Sequence, residues 1–150
     1  MRLTLLRGTV YPDPTGDIGE HDFTYSIMPH TGDWRCGDTV REAWALNVPL
    51  MTAAGSGAGT AQDTGFARST NSAVILETIK GAEDGDGLIV RVYESQGSRG
   101  KAAIDFGFAV KDAAECNLME VHETDLPVEG SRLNFTIKPY EIKTFRIHLA

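Results

Sequence analysis

Long apolar runs are missing from this chain of 150 residues: nothing approaches the roughly 18 consecutive apolar residues of a membrane-spanning helix. Basic charge is scarce as well. The 14 Lys and Arg stand against 21 Asp and Glu, a net charge of −7, which argues against nucleic acid as a partner because phosphates need a basic surface. Cysteine is limited to Cys36 and Cys116, too few and too far apart for a disulfide scaffold. Cys116 falls in an apolar strand pattern and reads as a small buried filler. Cys36, in the polar turn Asp33-Trp34-Arg35-Cys36-Gly37, reads as a free thiol, and the cytoplasm is the simplest compartment for both. Residues 1–10 offer a strand-length apolar stretch without a small-residue cleavage site, so no secretory signal is expected. No Gly-x-Ser-x-Gly turn presents a nucleophile, and no Gly-rich phosphate loop precedes a helix.

What is present is alternation. At 41% hydrophobic and 23% charged, the chain suits one soluble domain over residues 1–150. Residues 2–7 form a short strand candidate. Along 21–30, His21, Phe23, Tyr25 and Ile27 share one face, with Asp22, Thr24 and Ser26 on the other. Residues 72–80 and 87–95 are β-branched runs separated by the turn formers of 81–87. Ala102, Ile104, Phe106, Phe108 and Val110 line one face of a further strand. A weaker one covers 117–122, and Leu133, Phe135, Ile137 and then Phe145, Ile147, Leu149 alternate to the end. This spacing predicts an all-β antiparallel sandwich.

One segment has a helical period instead. Residues 38–47 open on Asp38 as N-cap and carry Val40, Ala43, Trp44 and Leu46 at helical spacing, stopped by Pro49. Residues 52–65, built from Gly, Ala, Ser and Thr, read as a flexible loop inside the domain.

Chemistry-bearing side chains cluster in Asp13, Asp17, Glu20, His21 and Asp22. Carboxylates beside a histidine can bind metal or act as acid and base, and retaining glycosidases place two carboxyls roughly 5–5.5 Å apart. Against this, Pro12, Pro14, Gly16 and Gly19 make a turn-rich connection in which Asp favours caps and Asx-turns, and His21 lies on the apolar face as a core histidine would. Trp34, in a polar turn, is a candidate for sugar stacking, whereas Trp44 reads as core. Glu83, Asp84 and Asp86 resemble an acidic calcium loop but lack its distal Glu, so a tight hairpin turn is the better account. No metal site is assigned.

Four stretches, taken in order, resemble the C-terminal region of the family-38 glycoside hydrolases, the α-mannosidases, in their bacterial and cytosolic-type branch. They are Leu5-Leu6-Arg7, Pro12-Asp13, Asp17-Ile18-Gly19-Glu20-His21, Phe23, Tyr25 and Pro29-His30-Thr31-Gly32 within 3–34; then 74–97, 115–123 and 137–149. The resemblance implies a β-sandwich of galactose-mutarotase-like type that belongs to a larger retaining enzyme. The zinc ion and the Asp nucleophile would then lie in a catalytic domain outside these residues, leaving no catalytic residue and no cofactor in this chain. It further implies that the loop after Leu5-Leu6-Arg7 lies near the sugar cleft, making Asp13, Asp17, Gly19 and His21 candidates for substrate contact. The abrupt opening of the chain in a strand pattern fits a piece of a longer sheet.

Three functions follow from this reading. The first is a non-catalytic module, inactive alone, that packs on the catalytic domain and lines its cleft. The second is a stand-alone carbohydrate-binding sandwich using Trp34 and the acidic loop to hold a mannose-containing glycan. The third is a small enzyme built on Asp13, Asp17 and His21. The first predicts an exposed apolar interface through which the chain can self-associate.

Overall fold

A computed structural model describes residues 2–8, 10–54 and 65–150. Of the loop expected at 52–65, residues 55–64 lie outside the described ones. Helix α1 (Thr39–Asn47) precedes strands β1 (Ala67–Ser69), β2 (Val74–Gly81), β3 (Leu88–Glu94), β4 (Gly100–Phe106), β5 (Val110–Cys116), β6 (His122–Leu126), β7 (Val128–Glu129), β8 (Arg132–Ile137) and β9 (Ile142–Leu149). The strands form two antiparallel sheets, in the orders β1-β4-β8-β7 and β2-β3-β9-β5-β6.

Alternation explains how the sheets close on each other. Val90 and Val92 of β3, Ala113 of β5 and Phe145 and Ile147 of β9 point inward from one sheet. They meet Ile104 and Phe106 of β4 and Leu133, Phe135 and Ile137 of β8 from the other. Phe135 and Phe145 join the layers, with ring centroids 4.9 Å apart. Cys116 is buried as expected, and Cys36 is exposed. The sandwich with one short helix is therefore as read from the sequence.

Strands were expected at 2–7 and 21–30, and the structure corrects both: among the described residues, the first strand is β1. Alternation specifies a strand only where a neighbouring edge supplies hydrogen-bond partners. Here the described hydrogen bonds of residues 2–30 all stay within four positions of their origin. The apolar side chains consequently remain outside, with Phe23 46%, Tyr25 61% and Ile27 70% exposed. His21 is likewise exposed rather than in the core.

Two further boundaries move. The run expected through 102–110 breaks after Phe106, where Gly107 N–H donates to Phe66 O (3.0 Å), and Val110 opens β5. The strand expected at 117–122 is instead a turn followed by β6, because Asn117 Oδ1 accepts the N–H groups of Met119 (2.9 Å) and Val121 (3.1 Å). This Asx arrangement competes with a ladder and prevails.

Helix α1 forms where predicted, but not through the expected cap. Asp38 sits at φ 51° with no side-chain capping bond, and its Oδ1 lies 3.6 Å from Arg41 Nε. The left-handed backbone turns the carboxylate away from the first-turn N–H groups; the Asp38 carbonyl accepts from Arg41 N (3.0 Å) and Glu42 N (3.1 Å) instead. Three long-range bonds moor this region to the sandwich: Arg35 Nε to Gln96 O (2.9 Å), Arg41 Nη2 to Ser72 O (3.1 Å) and Trp44 Nε1 to Tyr93 Oη (2.8 Å). Trp44 is half-buried and lies outside the core cluster, so the core role expected of it is not what the structure shows. Trp44→Phe keeps the ring and loses the last of these bonds; thermal unfolding should report a loss of about 1 kcal/mol.

Candidate functional site

The acidic loop folds on itself. Asp13 Oδ1 accepts from Thr15 N (2.9 Å) and Thr15 Oγ1 (2.8 Å), and Gly16 N donates to Asp13 O (3.4 Å). These bonds, the Thr15 N–H foremost, hold the Asp13 carboxyl below its ordinary pKa. Asp17 adopts φ 62°, and its carbonyl lies 2.9 Å from His21 Nε2, so the backbone of 17–21 curls around the imidazole. Gly19 lies inside that curl, open enough that a Cβ there would touch nothing within 4 Å. The His21 ring stacks loosely on Phe23 at 6.1 Å. The structure therefore brings Asp17, Gly19 and His21 together in one exposed turn, with Asp13 engaged by Thr15. Among the described residues, the Asp17 carboxylate accepts no hydrogen bond. No group of three or more His, Cys, Asp or Glu among the described residues is arranged to hold a metal ion.

Trp34 is 37% exposed, yet the Arg35 guanidinium sits 4.6 Å from its ring centroid and takes one face. Asp33 pins that guanidinium at 2.8 Å. A sugar would have only the other face to stack on.

The strongest polar site is structural, as the alternation of Arg91, Tyr93 and Glu94 within one strand suggests. Glu94 closes β3 and is 2% exposed. Its Oε1 accepts from Gln96 N (2.9 Å), Ser98 N (3.0 Å) and Ser98 Oγ (2.9 Å), and its Oε2 from Gly97 N (2.8 Å) and Tyr140 N (2.9 Å). Burial works to raise its pKa, but the backbone N–H groups of Tyr140, Ser98 and Gln96 and the Ser98 hydroxyl overcome it and bring it to about 2. Gly97, at φ 74°, lets the turn wrap the carboxylate; a Cβ there would fall 2.7 Å from the Tyr140 hydroxyl. The signal available beforehand was an acid ending an apolar strand just before Ser95-Gln96-Gly97-Ser98, a run of N–H donors.

The outer face of the second sheet is covered too. Residues 117–121 cross it, and Glu120 (9% exposed, φ 65°) accepts Glu83 N (2.9 Å) and pairs with Lys80 at 2.8 Å. Arg146 bonds the Asp84 carboxylate (2.8 Å) and the carbonyls of Asp86 (2.9 Å) and Glu120 (3.3 Å). The acids of the 83–86 turn thus meet cations of the chain itself, as a hairpin turn rather than a calcium loop.

Two antiparallel sheets closed on one apolar core, preceded by a segment that joins neither sheet among the described residues, define an all-β sandwich domain. Residues 73–145 match the family described as Glycosyl hydrolases family 38 C-terminal beta sandwich domain, and the sandwich that this stretch builds is a domain of that family. Among individual proteins, Alpha-mannosidase G of Dictyostelium discoideum is 39% identical over 154 residues, covering 96% of this chain and 14% of that protein. Alpha-mannosidase 2C1 of Mus musculus is 35% identical over 99% of this chain and 15% of its own length, and that of Homo sapiens 32% over 95% and 14%. The chain thus spans only about 14–15% of the length of these relatives. The family match begins at Ala73, so the acidic loop and α1 lie before the sandwich proper, although the relatives align across them.

Proposed function

We propose that this chain is the non-catalytic C-terminal module of a retaining, zinc-dependent α-mannosidase, docked on the catalytic domain through its N-terminal segment and lining the sugar cleft with the acidic loop. The observation that carries the reading is the contrast between the two parts of the chain. The sandwich closes its core without residues 2–30, while those residues keep Leu3, Tyr11, Phe23, Tyr25 and Ile27 outside. Apolar surface of that extent marks an interface. A partner within the same polypeptide is supported by the relatives, since most of each α-mannosidase lies beyond the stretch that this chain matches. The zinc belongs to the catalytic domain, and no residue here is assigned to it. Of the two acidic cleft candidates, Asp13 is engaged by Thr15, which leaves the Asp17 carboxylate as the one suited to a sugar hydroxyl. Cys36 and Cys116, both free thiols, suit the cytoplasm.

A chromogenic α-mannoside with added zinc tests this. The chain alone should show no turnover, and the chain within its complete enzyme should be active. Within that enzyme, Asp17→Ala should lower kcat/KM by roughly tenfold, the loss of about 1.4 kcal/mol in the transition state. Turnover by the isolated chain would overturn the module reading, and an unchanged kcat/KM in Asp17→Ala would remove the loop from the cleft.

A further inference from the structure

His148, on the outer face of β9, lies between two carboxylates that come from different parts of the fold. Its Nδ1 bonds Asp112 Oδ1, directly across on β5, and its Nε2 faces Asp86 Oδ1 of the β2–β3 turn at 3.3 Å. Nε2 is closed off from water and makes no hydrogen bond among the described residues, so Asp86 meets it as a charge rather than as a formed bond. Gly87 packs against the ring: at φ 88°, it leaves so little room that a Cβ would fall 2.8 Å from His148 Cδ2.

This geometry selects one protonation state. A neutral imidazole has a single N–H, so one of its nitrogens would present a lone pair to a carboxylate oxygen. Only the imidazolium has an N–H on each side, one for the bond to Asp112 and one to face the Asp86 charge. The surrounding charges agree. Asp112 meets the ring from β5, with Lys111 Nζ 4.0 Å from the Asp112 carboxylate; Asp86 and Asp84 come from the turn, and Arg146 from its own strand. Three carboxylates there meet two fixed cations, and the protonated ring completes the balance.

We propose that His148 is a histidinium clasp that fastens the β2–β3 turn and β5 to the C-terminal strand, and that rising pH unfastens it. Its pKa is raised above 6.5, chiefly by the hydrogen bond to Asp112, then by the charges of Asp112 and Asp86 against the opposing effect of burial. The sign follows from linkage. A pKa raised by folding contributes stability that is complete below 6.5 and is lost as pH climbs through the higher folded value.

The test is nitrogen-15 NMR of the 150-residue chain across about pH 5 to 9. Both His148 nitrogens should be protonated near about pH 6, with a midpoint above 6.5, and the amides of residues 83–87 should shift with that same midpoint. Asp112→Asn should lower the midpoint, and Asp86→Asn should lower it less. His148→Gln should remove the fall in Tm that the parent chain shows above neutral pH. A midpoint at or below 6.5, or a single neutral tautomer near about pH 6, would overturn the clasp. Turn amides that ignore the titration would overturn the fastening. The unsubstituted chain decides both points even if a variant fails to fold.

Discussion

Glu94→Gln unfolds the sandwich more readily by about 3 kcal/mol, a fall in Tm on the order of 10 °C for a chain of this size. The replacement has the same shape, and the reason it fails is chemical. All five partners of the Glu94 carboxylate are donors: four backbone N–H groups and the Ser98 hydroxyl. A glutamine offers one acceptor oxygen and turns an NH2 group against the remaining N–H donors in a site 2% exposed. The turn after β3 and the turn before β9 therefore lose a common anchor. Acid should act in the same way. Folding lowers this carboxyl from 4.5 to about 2, so its contribution is complete above 4.5 and disappears as pH falls through about 2. Denaturant unfolding between these limits should fall steeply for the parent chain and more gently for Glu94→Gln. Equal stability of the two at neutral pH would mean that the carboxylate does not hold the turns.

How much of this was legible depends on whether the physics was local. The strands β2, β3, β8 and β9 were readable because β-branched and aromatic residues alternate there, and the same residues build the core. Helix α1 was readable from its period, but Asp38 was not readable as a failed cap, since its φ of 51° depends on the turn before it. The Asx turn at Asn117 and the break after Phe106 were missed because short polar interruptions outweigh apolar periodicity only when a hydrogen bond settles them. Arg146 and His148 alternate with Phe145 and Ile147 exactly as solvent-facing residues would. Only the tertiary fold brings the 83–86 turn and β5 to them. Among the cleft candidates, the turn joining Asp17 to His21 was visible as spacing, whereas the engagement of Asp13 by Thr15 and of Trp34 by Arg35 was not.

The misread strand at 21–30 carries the second large effect. Its alternation is real, and what it lacks in this structure is a neighbouring edge. If the remainder of the α-mannosidase supplies that contact, Phe23→Asp with Ile27→Asp should separate folding from docking. In the isolated chain these positions are 46% and 70% exposed, so Tm should move by no more than about 2 °C, the usual range for surface substitutions. In the complete enzyme the same two carboxylates would enter an apolar contact, where each lost side chain is worth about 1.5–3 kcal/mol. Turnover should fall by roughly 100-fold, which corresponds to about 3 kcal/mol of docking. Full activity in the double variant would remove residues 21–30 from any interface. A large loss of Tm in the isolated chain would instead place them against the sandwich, and the segment would then be part of the domain rather than its link to the catalytic one.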